Sequence, residues 1–275
     1  MDDGFFPEHS AIRQVSREPL GLLGGGPALL LQLAHPKVAR GVAEHSDFQA
    51  GPFDRLLSTL DYLAMVVFGT KDEAHRVAWS AMRAHDVVNG PGYTAHDPEL
   101  LLWVQATLFQ VSRDLYGRML GPLPPARDEE YYQQSVAYAE LLGAPREALP
   151  PDAAGFDAYW AEMLRTLRVD DTGREQARAV LHPDNLPGIL FPALAVFRLV
   201  TTGLLPEPIR EQYGLPWTPT RRLAFATLMA VLKVAMNFTP TPVRHLPARV
   251  TVPVMRRFRW RKYQRPRPAR RTPAR

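Results

Sequence analysis

Apolar residues recur along this chain at three- and four-residue steps and almost nowhere at two. That spacing places them on one stripe of a helix, whereas a half-buried strand needs strict alternation. Residues 74–88 show the pattern plainly. Ala74, Val77, Ala78, Ala81, Met82 and Val88 fall in one register, and Asp72, Glu73, Arg76, Arg83 and Asp86 fall opposite. The same period returns in 53–68, 97–116, 155–167 and 219–238. No internal repeat and no alternating run appears, so the chain is predicted to be all-α, a single multi-helix globular domain of about ten helices.

Prolines, twenty-seven of them, punctuate the joints. Thr70 and Glu73 have the form of a capping box and open a helix predicted to run to about Val88, where Asn89-Gly90-Pro91-Gly92 ends it. Asp97 before Pro98 caps the next helix. Gly24-Gly25-Gly26-Pro27 reads as a turn ahead of a helix over 28–43, which Pro36 breaks in two. Segments 128–142, 173–181, 188–201, 207–213 and 243–261 complete the set.

Composition removes several kinds of chemistry. The chain has no cysteine, so disulfides, thiolate catalysis, zinc–thiolate sites and iron–sulfur clusters are excluded. Gly-x-Gly-x-x-Gly, a phosphate-binding loop and Gly-x-Ser-x-Gly are all missing. No two of the eight histidines stand three or four apart, and no Glu-x-x-His pair of the carboxylate-bridged di-iron type occurs. The histidines therefore act singly, which favours a site that needs one axial imidazole. Ten Lys or Arg and no acid lie between Arg256 and Arg275, so the net charge of +5 belongs to the tail and the body is net negative. Nothing in that body marks a nucleic-acid-binding face. The start of the chain lacks the basic and apolar regions of a secretory signal, and no stretch is long enough to span a membrane. The expected setting is cytoplasmic, with residues 1–264 as the helical domain and 265–275 as a basic, disordered tail.

His85 is the residue that points to function. It falls in the register of the apolar stripe of 74–88, where an imidazole needs a partner because an unpaired buried polar group costs about 1–3 kcal/mol. The residues alone leave two readings: a core histidine bonded to a carbonyl, or a ligand. Arg55 and Thr59 stand one helical turn apart and share a face. Again two readings stay open, a solvated surface pair or a cation and hydroxyl enclosing a cofactor opposite His85.

Three segments carry a resemblance. They are Leu29 through Phe48, Arg55-Leu56-Leu57-Ser58-Thr59, and Met82-Arg83-Ala84-His85-Asp86-Val87-Val88 followed by Asp97 through Leu108. In this order they resemble the helical oxygenase family that includes bacterial latex-clearing (rubber oxygenase) proteins and the MpaB-type oxygenase of fungal mycophenolic acid biosynthesis, over roughly residues 11–257. The resemblance implies an all-α fold holding haem b, with His85 as the one proximal ligand to iron and Arg55 and Thr59 in the haem pocket. It implies an oxygenase that acts with dioxygen on a small, unsaturated hydrophobic substrate of isoprenoid or lipid type. Two departures are visible: Gln105 stands where many relatives carry histidine, and Ser58 where rubber-cleaving members carry lysine. Glu44 is the position considered for their distal glutamate.

Such a site agrees with general haem chemistry, since one neutral imidazole is a good fifth ligand and leaves the sixth position for dioxygen. Trp103, Leu108, Phe109 and Tyr62 are candidate lining residues, though residues of these types are more often plain core. Two other functions fit the sequence: a non-catalytic haem carrier or sensor, and a helical protein of the membrane surface. The last rests on Arg256-Arg257-Phe258-Arg259-Trp260-Arg261-Lys262-Tyr263, where aromatics alternate with cations, giving the tail possible peripheral contact with an anionic membrane.

Overall fold

The computed structural model describes residues 4–45, 52–183 and 187–259, without the side chains of 22, 52–57, 258 and 259. In chain order its helices are α1 (Ala11–Ser16), α2 (Gly21–Leu33), α3 (Pro36–His45), α4 (Pro52–Phe68), α5 (Lys71–His85), α6 (Pro98–Leu120), α7 (Pro125–Ser135) and α8 (Ala137–Glu140). They continue with α9 (Ala153–Thr166), α10 (Asp171–Leu181), α11 (Phe191–Leu204), α12 (Glu207–Gln212), α13 (Pro219–Phe238), α14 (Thr241–Arg244) and α15 (Leu246–Val254). The fold is all-α, as the hydrophobic period predicts. Short pieces raise the number above ten, because 128–142 breaks between α7 and α8, 243–261 breaks at His245, and α1 lies in the lead-in.

Local chemistry sets the helix ends. Thr70 Oγ1 accepts from the Glu73 backbone N–H at 3.2 Å, and Glu73 Oε2 accepts from the Thr70 N–H at 2.9 Å, closing the predicted capping box. Asp97 Oδ1 accepts from the Glu99 N–H at 3.0 Å and starts α6 with Pro98 in its first turn.

The triple glycine is not a turn. It lies inside α2, which begins at Gly21 and carries Pro27 in its interior. The reason is packing, which local propensity cannot see. A Cβ on Gly24 would meet Val111 and Leu115 of α6 at 3.1 and 3.2 Å, and one on Gly26 would strike Thr201 and come within 2.8 Å of the Phe197 ring on α11. Bare backbone lets α2 lie between α6 and α11, its two main neighbours. The predicted break at Pro36 does separate α2 from α3.

Around this centre the core is aromatic. Trp103 is fully buried, donates from Nε1 to the Leu31 carbonyl at 3.0 Å and stacks on Trp160 at 5.5 Å. Phe109 sits edge-on to Phe156 at 4.7 Å, with Tyr131 and Tyr132 beside it. These side chains are structural packing. Tyr62, half-buried on α4, donates to the Tyr138 carbonyl at 3.0 Å.

Candidate functional site

α4 and α5 lie side by side, joined only by Gly69 and Thr70. So short a connection turns the chain back, and the two helices run antiparallel. Position 55 stands about as far before this connection as position 85 stands after it, so both come to the same end of the pair. Thr59, one turn nearer the connection than Arg55, is half-buried. The side chain of Arg55 lies outside the described residues.

His85 is the last residue of α5 and is half-buried, with its Nδ1 withdrawn from solvent. The helix stops here, one turn short of the predicted end near Val88. The Val88 N–H donates to the His85 carbonyl at 2.9 Å, and residues Asn89–Gly90 then pair antiparallel with Tyr93–Thr94. Pro91 and Gly92, the latter at φ 82°, make the turn of this small hairpin, a left-handed position that suits glycine. A two-residue ladder is too short to leave a trace in hydrophobic periodicity.

The hairpin brings the chain back beside α5. His96 faces His85 edge to face, ring centroids 6.0 Å apart. Asp86 Oδ1 lies 3.1 Å from His96 Nε2 and holds that ring in place. His85 and His96 form a pair of imidazoles that sequence spacing did not reveal, because ten residues of turn and hairpin separate them.

The hairpin also docks on the end of α3. Tyr93, buried at 7% exposure, donates from its hydroxyl to Glu44 Oε2, and His45 Nε2 lies 3.1 Å from both the Tyr93 hydroxyl and the Asn89 carbonyl. The Arg40 guanidinium stands 5.6 Å from the centre of the Tyr93 ring. Burial, reinforced by the negative Glu44, pushes the Tyr93 phenol up to about 12. Close approach is possible because α3 presents Gly41, where a Cβ would lie 3.3 Å from Val88 and 3.4 Å from Tyr93. Glu44 thus meets the hairpin that follows α5. Tyr93 and His45 were missed as members of this group, since neither belongs to a motif and α3 meets the hairpin only through the fold.

Gln105 is elsewhere. It is 2% exposed on α6 and donates to Ser135 Oγ at 2.8 Å within the core. His35, between α2 and α3, keeps a buried Nδ1 that has no hydrogen-bond partner among the described residues, and burial lowers its pKa. His245 packs against Glu18 at 3.0 Å.

No three His, Asp or Glu side chains gather as a metal-holding group among the described residues. The groups that the structure sets beside His85 are the His96 imidazole and, on that ring, the Asp86 carboxylate. Such a set suits a metal that brings its other donors in a macrocycle, as haem does, and His85 is able to supply the single axial nitrogen.

The class these observations define is an all-α protein with a pair of imidazoles, His85 and His96, at the end of α5. The chain matches the family model described as ER-bound oxygenase mpaB/B'/Rubber oxygenase, catalytic domain, over residues 12–234. It belongs to that family, and an oxygenase kind of activity, hence oxidoreductase chemistry, comes with it. Two mycobacterial proteins are similar: the uncharacterized protein Rv2237 of Mycobacterium tuberculosis and the uncharacterized protein Mb2261 of Mycobacterium bovis. Each is 33% identical over 223 residues, covering 77% of this chain and 87% of the relative. No solved structure matches the chain significantly.

Proposed function

We propose that this protein is a haem b-dependent oxygenase in which His85 is the one protein ligand to iron, and in which dioxygen reacts with an unsaturated hydrophobic substrate of isoprenoid or lipid type. The observation that carries the reading is the position of His85: a partly buried imidazole at the end of α5, at the end of the α4–α5 pair that also bears position 55. Membership in an oxygenase family supports it.

Haem, when bound, supplies redox-active iron with a coordination position for dioxygen. The chain's own residues do the rest. Arg55 offers a cation to a haem propionate or to negative charge that develops during the reaction, and Thr59 offers a hydroxyl from the same helical face. The Tyr93 phenol keeps its proton at physiological pH and donates a hydrogen bond to Glu44, fixing the end of α3 against the hairpin. His96, oriented by Asp86, buttresses the His85 ring from its edge.

Labelled dioxygen gives the direct test of the reaction class. With an unsaturated isoprenoid, purified protein is expected to transfer label from ¹⁸O₂ into product, and His85→Ala to abolish the transfer. Equal incorporation by wild type and variant contradicts the assignment. Haem retention without any incorporation or oxygen uptake favours the carrier reading instead.

A further inference from the structure

The last quarter of the chain has a charge that the oxygenase reading does not use. From Gln212 to Arg275 there are 15 Lys or Arg and no Asp or Glu, leaving 18 basic against 28 acidic residues in the preceding 211. The protein is a charge dipole along its sequence. Within the described part of the basic region, Arg221, Arg222, Lys233 and Arg249 are exposed.

The same region leaves apolar side chains in water. Of the fourteen large hydrophobic residues that are exposed among the described ones, eight lie between Leu223 and Val254. On α13 they are Leu223, Val231, Val234 and Phe238, which at roughly 100° per residue occupy about a quarter of the helix circumference. Leu223 is 69% exposed and Phe238 85%. The opposite face of α13, including Met229, Leu232 and Met236, packs into the core, and the exposed Arg221 and Lys233 flank the outer stripe on its two sides. Val243, Leu246, Val250 and Val254 repeat the arrangement on α14 and α15.

We propose that α13, α14 and α15 dock this protein on the surface of an anionic lipid bilayer, with the two apolar stripes seated among the headgroups and the cations on the lipid phosphates. Charge complementarity selects this occupant: a surface with cations and no acid repels a basic partner and suits a negative sheet. The geometry selects lying over crossing. No single described helix is long and apolar enough to span, and 219–238 and 241–257 meet at 119°. The second helix is also tied to the body, where Arg244 and His245 meet the buried Glu18 and Arg256 meets Glu73 at 2.6 Å. A bound helix pair of this kind presents its outer faces and keeps its inner faces packed.

Flotation with phosphatidylcholine vesicles, with and without phosphatidylglycerol, tests the proposal on the full chain. Wild type is expected to float with the anionic vesicles, to float at least about tenfold less with phosphatidylcholine alone, and to be released by high salt. The double variant Val234→Glu, Phe238→Glu replaces two exposed residues, so its helicity and melting are expected to match wild type, while its binding falls by about tenfold or more. A wild type that stays unbound overturns the proposal. So does a double variant that floats like wild type while deletion of residues 260–275 abolishes binding, since the tail alone then acts. If light scattering shows a wild-type dimer that the double variant converts to monomer, the face serves a second copy of the chain and the lipid proposal falls.

Discussion

His96 lies against His85 with ring centroids 6.0 Å apart and planes at 72°, and the Asp86 carboxylate holds the His96 ring. The account makes His85 the ligand and His96 its support. His96→Ala is therefore expected to keep most of the haem absorption and to shift it modestly, because the ligand survives with a looser ring. Absorption lost in His96→Ala and retained in His85→Ala reverses the two roles.

Arg55 and Thr59 make a separable prediction. Arg55→Ala and Thr59→Ala are each expected to fold normally by circular dichroism, and to lose either turnover or haem retention. Removal of one well-placed donor to developing charge costs roughly 10²-fold in rate in comparable sites. Wild-type turnover in both variants removes these residues from the mechanism.

The capping box at the start of α5 fixes the helix that carries His85. Thr70→Ala is expected to lower unfolding stability by about 1 kcal/mol. Glu73→Ala is expected to cost more, since the Glu73 carboxylate also pairs with Arg256, an interaction that holds its pKa down. Urea titration of both variants decides this, and equal costs would mean that the Arg256 pair contributes nothing.

Burial gives the pH dependence a definite sign on the alkaline side. The phenols of Tyr93 and Tyr132 are pushed up to about 12 from an ordinary value near 10, in both cases chiefly by burial. Between those values the folded state binds more protons than the unfolded chain, so stability falls as pH rises. The urea midpoint is expected to decline steeply above about pH 10, and Tyr93→Phe to flatten part of that decline. A midpoint that holds or rises there contradicts the burial of these side chains.

Much of the fold was legible because helix stripes, caps and prolines are local signals. The Thr70–Glu73 box, the Asp97 cap and the break at Pro36 all depend on residues within one turn of each other. The glycines at 24–26 were misread because their reason is the approach of α6 and α11, distant in sequence. The site was legible in part. The register of His85 and the spacing of Arg55 and Thr59 are sequence properties, but the meeting of Glu44, His45 and Tyr93 depends on how α3 meets the hairpin. The basic tail at 265–275 and the domain boundary placed before it lie outside the described residues.

The central claim is that one imidazole, at the end of α5, binds haem iron. An absorption spectrum of the purified protein, reconstituted with haemin and compared with His85→Ala, tests it most directly. The account predicts a Soret band in wild type that is lost or strongly shifted in the variant, with helicity unchanged. A wild type that takes up no haemin, or a variant with the wild-type spectrum, contradicts it.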